Sequence, residues 1–178
     1  AVPVNLRPYF NSITTKNFFV MVSAEFVPTK PDYTFEEIVQ IASESLRKQI
    51  TKENLESIFS FNVSGQQTVL ARAVPLVLKN MGLRAIYGRS ALANTTTVTN
   101  MGQIKVPEVY EDYIESFQCF LAFSKGQGLK LGIASFKDVL TLSFSTAFSD
   151  TTLIMEFLRK LSELGAVAAV ETNGVFYE

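Results

Sequence analysis

Apolar and polar positions repeat with two different periods along this chain, and the changes of period divide it into strands and helices. Over 17–27, "NFFVMVSAEFV", β-branched and aromatic residues alternate in part and "PTKP" closes the run, which predicts a strand followed by a loop. In "TFEEIVQIASESLRKQI" the spacing switches to threes and fours through Phe35, Ile38, Ile41, Ala42 and Leu46. Thr34 and Glu37 stand there in capping-box spacing, so an amphipathic helix is expected. "TKENLESIFSF" opens with a cap candidate and an acidic first turn, predicting a second helix from Thr51 to about Phe61.

"QQTVLARAVPLVLKNMG" reads as a helix with Pro75 inside it, either kinked there or broken so that Pro75 opens a new helix, and with Gly82 near its end. It is apolar nearly all round, a pattern that predicts burial. "TTTVTNMGQIKVPEVYEDYIESF", 95–117, then sets four threonines and an asparagine on a strand that a Gly and a Pro bring to a stop. "FQCFLAFSKGQGLKLGIASFKDVLTLSFSTAF" reads as three strands joined at "KGQG" and "KD", an antiparallel meander. Asp150 is placed to cap "TTLIMEFLRKLSELG", which carries Leu153, Ile154, Phe157, Leu158, Leu161 and Leu164 on one stripe and ends at Gly165. "AVAAVETN" predicts a last strand. Helices and strands alternate in blocks without a linker or repeat, so residues 1–178 form a single domain of α/β (α+β) class. Its mixed, largely antiparallel sheet is covered by helices.

The strands have unlike faces. In 139–147, Leu140, Leu142, Phe144 and Thr146 point one way, while Val139, Thr141, Ser143, Ser145 and Ala147 point the other. Before it, Gly132 and Ala134 oppose Leu129, Leu131 and Ile133. Thr95, Thr97 and Thr99 share a face opposite Thr96, Val98 and Asn100. Small and hydroxylated faces admit close approach and offer hydrogen bonds, which suits a covering helix, a second domain or a ligand; water or an ordinary helix contact suits them equally.

Composition narrows the chemistry. With 178 residues and 47% apolar content the chain is long enough for a real core. The net charge of −1 lacks the basic footprint that nucleic acid requires. No apolar run approaches the ~18 residues of a membrane span, and "AVPVNLRPYF" has no signal-peptide layout, so a cytoplasmic location is the default. There is one cysteine, Cys119, expected as a buried small hydrophobe. There is no histidine at all. That removes Ser-His-Asp and Cys-His catalysis and most zinc sites from what this chain can assemble alone. "GQG" lacks the spacing of a phosphate loop and is read as a hairpin turn.

Several segments, in order, resemble the C-terminal half of the chloramphenicol-acetyltransferase-like superfamily, in particular its bacterial alcohol O-acetyltransferase and condensation-domain-like members. "VPVNLRPYFNSITTKNFF" is similar to the strand and loop with which that half begins, and "ITKENLE" followed by "ARAVPLVLKNMGLRAIYG" to its long paired helices. "TVTNMGQIKVP" resembles the family's "S-N-L-G-x-I-x-L-P" strand and turn, with Thr99 where serine is usual and Met101 where leucine is usual. "LTLSFSTAFSDTTLIMEFLRKL" resembles its last core strand and the helix after it.

The resemblance implies a donor on CoA or a carrier pantetheine, with acetyl-CoA or another acyl-CoA as cosubstrate. The family's general base is a histidine in a His-His-x-x-x-Asp motif on the N-terminal half, so the partner implied is that half, and this chain alone is expected to be inactive. Thr99 and Asn100 would lie nearest the chemistry, lining a channel or donating to the oxyanion, with Gly102 allowing the turn and Ser143 and Ser145 on the same channel wall. Arg7, Asn17 and Asp150 would hold the architecture. A half-interface left open would drive homo-oligomerisation. The competing expectations are a non-catalytic binding or scaffold module with the same half-fold, and part of a carrier-dependent condensation domain.

Overall fold

The computed structural model of the chain describes residues 1–67, 74–124 and 126–173. The first block of elements is β1 (Val2–Asn5), α1 (Arg7–Phe10), β2 (Phe19–Val22), α2 (Phe35–Gln49) and α3 (Lys52–Gln67). β1 and β2 pair antiparallel with Val2 opposite Val22 and Asn5 opposite Phe19. Val4, Leu6, Val20, Val22 and Leu55 form the buried core, with Leu46, Ile50, Ile58 and Phe59 packed around it. Phe10, Phe18 and Phe59 meet in edge and tilted contacts at 5.5–6.4 Å. The β-branched residues of β1 and β2 therefore bury one face of the ribbon under α3 and the C-terminal end of α2, where Leu46 and Ile50 lie, while Phe35 and Ile38 at the other end of the α2 stripe are exposed.

α2 starts as its sequence dictates. The Thr34 hydroxyl accepts the Glu37 N–H at 3.2 Å and the Glu37 carboxylate accepts the Thr34 N–H at 2.9 Å. The expected strand over 17–27 is shorter than its apolar run, because β1 offers only four residues to pair with. α3 runs on to Gln67, past the expected end at Phe61.

The second block is α4 (Leu76–Leu92), β3 (Thr97–Gln103), the one-turn α5 (Glu108–Glu111), β4 (Leu129–Phe136), β5 (Val139–Thr146) and α6 (Thr152–Glu163). Pro75 ends as the residue before α4, its carbonyl accepting the Lys79 N–H at 3.1 Å; the part of the expected helix at 68–73 lies outside the described residues. α4 passes straight through Gly82, and its Leu76, Val77, Leu78, Met81, Leu83, Ile86 and Tyr87 are exposed. The expectation of burial is thus not met within the described residues: the apolar helix has no described element packed along it.

β3, β4 and β5 form one sheet in that order, β3 parallel to β4 and β4 antiparallel to β5. The β4–β5 hairpin turns at Lys137 and Asp138, with Lys137 at φ 49°. The two sheets meet where Ala1 exchanges main-chain hydrogen bonds with Thr96 and Val98, at 2.7 and 2.9 Å.

Two expected strands are absent. Residues 117–123 do not join the sheet edge as the first strand of a meander, because β3 already occupies the free side of β4; they cross the face of the sheet instead. Residues 166–173 form no strand and pair with none of the described strands, and Val167 is fully exposed. α6 stops as expected at Gly165, φ 88°, with Ala166 N–H donating to Leu161 and Gly165 N–H to Ser162, the two bonds of a Schellman ending.

Candidate functional site

The hydroxyl residues singled out by sequence converge on the β3–β4–β5 sheet, and its register sorts them. Thr99 pairs with Gly132, which pairs with Ser143; Thr97 pairs with Lys130, which pairs with Ser145. Directly opposed residues share a face, so Thr97, Thr99, Ser143 and Ser145 lie on one side of the sheet. Asn100 falls in the next row with Ile133 and Leu142, on the other side. Thr99 and Asn100 therefore do not converge on one point.

Asn100 instead shapes the strand. Its Oδ1 accepts the Gly102 N–H at 2.8 Å, and Gly102 sits at φ 69°, where the β3–β4 register slips between Asn100 and Gln103. A side chain at 102 would strain that backbone, so the Asn-x-Gly sequence specifies a bulge.

The middle of the hydroxyl face, along β4, is covered by the chain itself. Phe117 packs edge-on against Phe136 with centroids 5.2 Å apart, Cys119 passes over Gly132, and Lys130 Nζ donates to the Ala122 carbonyl at 2.8 Å. Residues 117–122 thus run along β4 in the opposite sense, laid on the face as a strap. Ser143, 5% exposed, lies beneath it and accepts the Cys119 N–H at 3.2 Å. Cys119 itself is half-buried, between exposed Gln118 and Phe120. Thr99, Thr141 and Ser145 are half-buried and make no side-chain hydrogen bond among the described residues, and the Ser143 hydroxyl only accepts, so four hydroxyls on this face have no described acceptor.

At one end of the sheet a buried amide joins the parts. Gln127 Oε1 accepts from the Thr97 hydroxyl at 3.0 Å and the Ser124 hydroxyl at 3.2 Å, and its Nε2 donates to the Asn94 carbonyl at 3.3 Å. The Ser23 hydroxyl donates to Asn94 Oδ1 at 2.6 Å, and Gln49 exchanges two bonds with the Ser23 main chain. This chain of amides and hydroxyls ties β2 and α2 to the start of β3. The Thr96 hydroxyl donates to the Leu129 carbonyl at 2.6 Å.

Of the residues expected to hold the architecture, Arg7 donates from Nε to the Thr14 carbonyl at 2.7 Å and from Nη2 to the Lys16 carbonyl at 2.6 Å. Asn5, not Asn17, is its asparagine partner: Asn5 Oδ1 accepts from Arg7 Nη1 and from the Arg7 N–H, both at 3.1 Å. Asn17 is exposed and makes no side-chain hydrogen bond among the described residues. Asp150 Oδ1 accepts the Thr152 N–H at 2.8 Å and the Thr152 hydroxyl at 2.5 Å in the turn before α6; the N-cap is Thr151, so Asp150 stands one residue before the expected cap position.

The perturbed titratable side chains belong to the loop and capping box at the start of α2, the turn before α6 and surface pairs. Hydrogen bonds from Thr152 hold the Asp150 carboxyl below its ordinary range; Lys30 does the same for Glu37, and Arg159 for Glu156. None stands in the hydroxyl rows. The rows can bind and orient a polar group or donate to a developing anion, but they hold no base to take a proton.

Sequence reasoning missed Gln127, Asn94, Ser23 and Gln49. The glycines around Gln127 mark a turn and say nothing of a buried amide, and the four residues lie far apart in the chain. No protein-family model, curated protein or solved structure matches this chain. No described helix is long and apolar enough to cross a membrane, and no described cluster of acidic or cysteine side chains could hold a metal.

Proposed function

We propose that this chain is the C-terminal portion of an acyl-CoA-dependent O-acyltransferase of alcohol-acetyltransferase type, with its general base supplied by a histidine-bearing N-terminal half. The observation that supports the two-part arrangement is surface area, while the acyl-transfer chemistry rests on the resemblance of the sequence segments alone. The chain exposes 14174 Å² at a mass of 19.8 kDa, whereas a self-contained monomer of that size exposes about 8,600 Å². The surplus, roughly 5,500 Å², is several times the ~800 Å² that one partner gives to a standard interface. A second folding unit is what such a surface fits. In this reading Thr99 and Ser145, two of the hydroxyls without a described acceptor, donate to a thioester of acetyl-CoA or a related acyl-CoA, and Asn100 and Gly102 shape the strand beside them.

The test is release of CoA thiol from acetyl-CoA with short-chain alcohols. This chain alone should release none, and the chain joined to a histidine-bearing half should transfer. Thr99→Val should then slow transfer by about a hundredfold, the usual effect of losing one anion-stabilising donor. Transfer unaffected by Thr99→Val and Ser145→Ala together would remove the hydroxyl face from the mechanism.

One observation favours a second reading, a binding or scaffold module without chemistry. The strap at 117–122 covers Ser143 with the chain's own main chain, which gives the small sheet face an architectural reason to exist. A joined protein that binds acetyl-CoA and transfers nothing would select this alternative.

A further inference from the structure

β5 is the outer strand of its sheet, and no described residue pairs with its free edge. Ala147 N–H donates to the Gly128 carbonyl at 2.7 Å, which continues the β4–β5 ladder and fixes its phase. The odd-numbered residues from Val139 to Ala147 turn their main chain toward β4, so Leu140, Leu142, Phe144 and Thr146 present their N–H and C=O groups outward. Protein edges are normally blunted by lysine, proline, a bulge or short length. β5 has none of these: it is 8 residues long, "VLTLSFST", uncharged, proline-free and in unbroken register with β4.

We propose that this edge is an interface between two copies of the chain, joined β5 to β5 in antiparallel pairing about a two-fold axis at Leu142. The alternation of β5 is what selects a second copy. With Leu142 on the axis, Leu140 of each copy opposes Phe144 of the other and Leu142 opposes itself, so the apolar face continues across the joint. On the reverse face Thr141 opposes Ser143, so hydroxyl meets hydroxyl. Lys137 and Asp138 fall opposite Ala147 and Thr146, so no like charges meet. About six main-chain hydrogen bonds close the joint, and the two sheets become one of six strands. The proposal stands independently of the acyl-transfer reading.

Sedimentation velocity over a wide concentration range, with hydrogen exchange at single-amide resolution, tests it. The native chain should dimerise, and the amides of Leu142 and Phe144 should be protected as well as those of Thr141 and Ser143. Leu140, 64% exposed, can be changed without cost to the core. Leu140→Lys should yield a monomer in which Leu142 and Phe144 exchange about tenfold faster or more, while Thr141 and Ser143 stay slow on β4. Leu140→Pro, which removes an outward N–H without touching the β4 ladder, should do the same and serves if the lysine variant fails to fold. Val109→Lys, on the equally exposed α5, should remain dimeric. A native chain that is monomeric throughout, an association that survives both Leu140 variants, or an assembly with fast exchange at Leu142 and Phe144 would each overturn the proposal.

Discussion

Gly132 lies directly beneath the Cys119 main chain, so close that a Cβ at residue 132 would run into the Cys119 carbonyl oxygen. The glycine is needed here for proximity, not for a turn. Its place in the row Thr99–Gly132–Ser143 makes the small sheet face a seat for the strap, and Ser143 secures the strap by accepting the Cys119 N–H.

Gly132→Ala should therefore lift the strap. The obstructing atoms are main chain and cannot swing aside as a long side chain would, so a cost of about 1–3 kcal/mol is expected. Urea denaturation gives the loss, and the labelling rate of the Cys119 thiol in the native state should rise with it. Unchanged stability and labelling would mean that residues 117–122 do not sit on this face.

Gln127→Ala should act through the amide chain. Gln127 is buried and satisfies three partners, so its removal leaves the Thr97 and Ser124 hydroxyls and the Asn94 carbonyl short of a partner. About 1–3 kcal/mol is expected. Gln40→Ala, on the exposed side of α2, should stay within about 0.5 kcal/mol. Equal effects in the two variants would deny the amide chain its role in joining β2 and α2 to β3.

Local rules were readable where one short stretch decides the outcome. Thr34 with Glu37 marks a helix start and Gly165 a helix stop, while Pro75 left a kink and a fresh start both open, and the helix begins just after it. That "FQCFLAF" runs extended with Cys119 turned inward was readable too, but not what it faces. An extended run can pair at an edge or lie on a face with the same side-chain pattern, and only the partner's position decides. The hydroxyl rows were legible in part, as the threonines of β3 and the serines of β5; alternation alone already sets Asn100 opposite Thr99, and the register between strands adds only which residues stand beside each. The burial expected of α4 failed because an all-round apolar pattern states a need for cover without supplying it.

Asp150 gives a pH signature. Hydrogen bonds from the Thr152 hydroxyl and N–H depress its native pKa below the unfolded value, so its contribution to stability is complete above the ordinary aspartate range, near about 3.9. As pH falls through that value toward the lower native one, the contribution is lost. The amides of the first turn of α6 should lose protection over this interval before the core around Leu55 does. In Asp150→Ala the first turn should already be frayed at neutral pH, and its acid dependence should flatten. Identical acid profiles for the native chain and the variant would exclude Asp150 as the titrating group.

Two leucines separate the core from the uncovered surface. Leu55 is fully buried between the β1–β2 ribbon and its helices, so Leu55→Ala should cost about 2–5 kcal/mol through lost transfer energy and the cavity left behind. Leu76 is 70% exposed at the start of α4, and Leu76→Gln should change stability by no more than about 0.5 kcal/mol. The same substitution should lower the binding of an apolar dye, because it removes part of the exposed surface that raises the total to 14174 Å². If Leu76→Gln destabilises the chain as much as Leu55→Ala, then α4 packs within the chain and the surplus area falls accordingly. If it leaves stability intact and reduces dye binding, α4 is surface that needs a partner, which is the requirement the two-half reading of this protein makes of it.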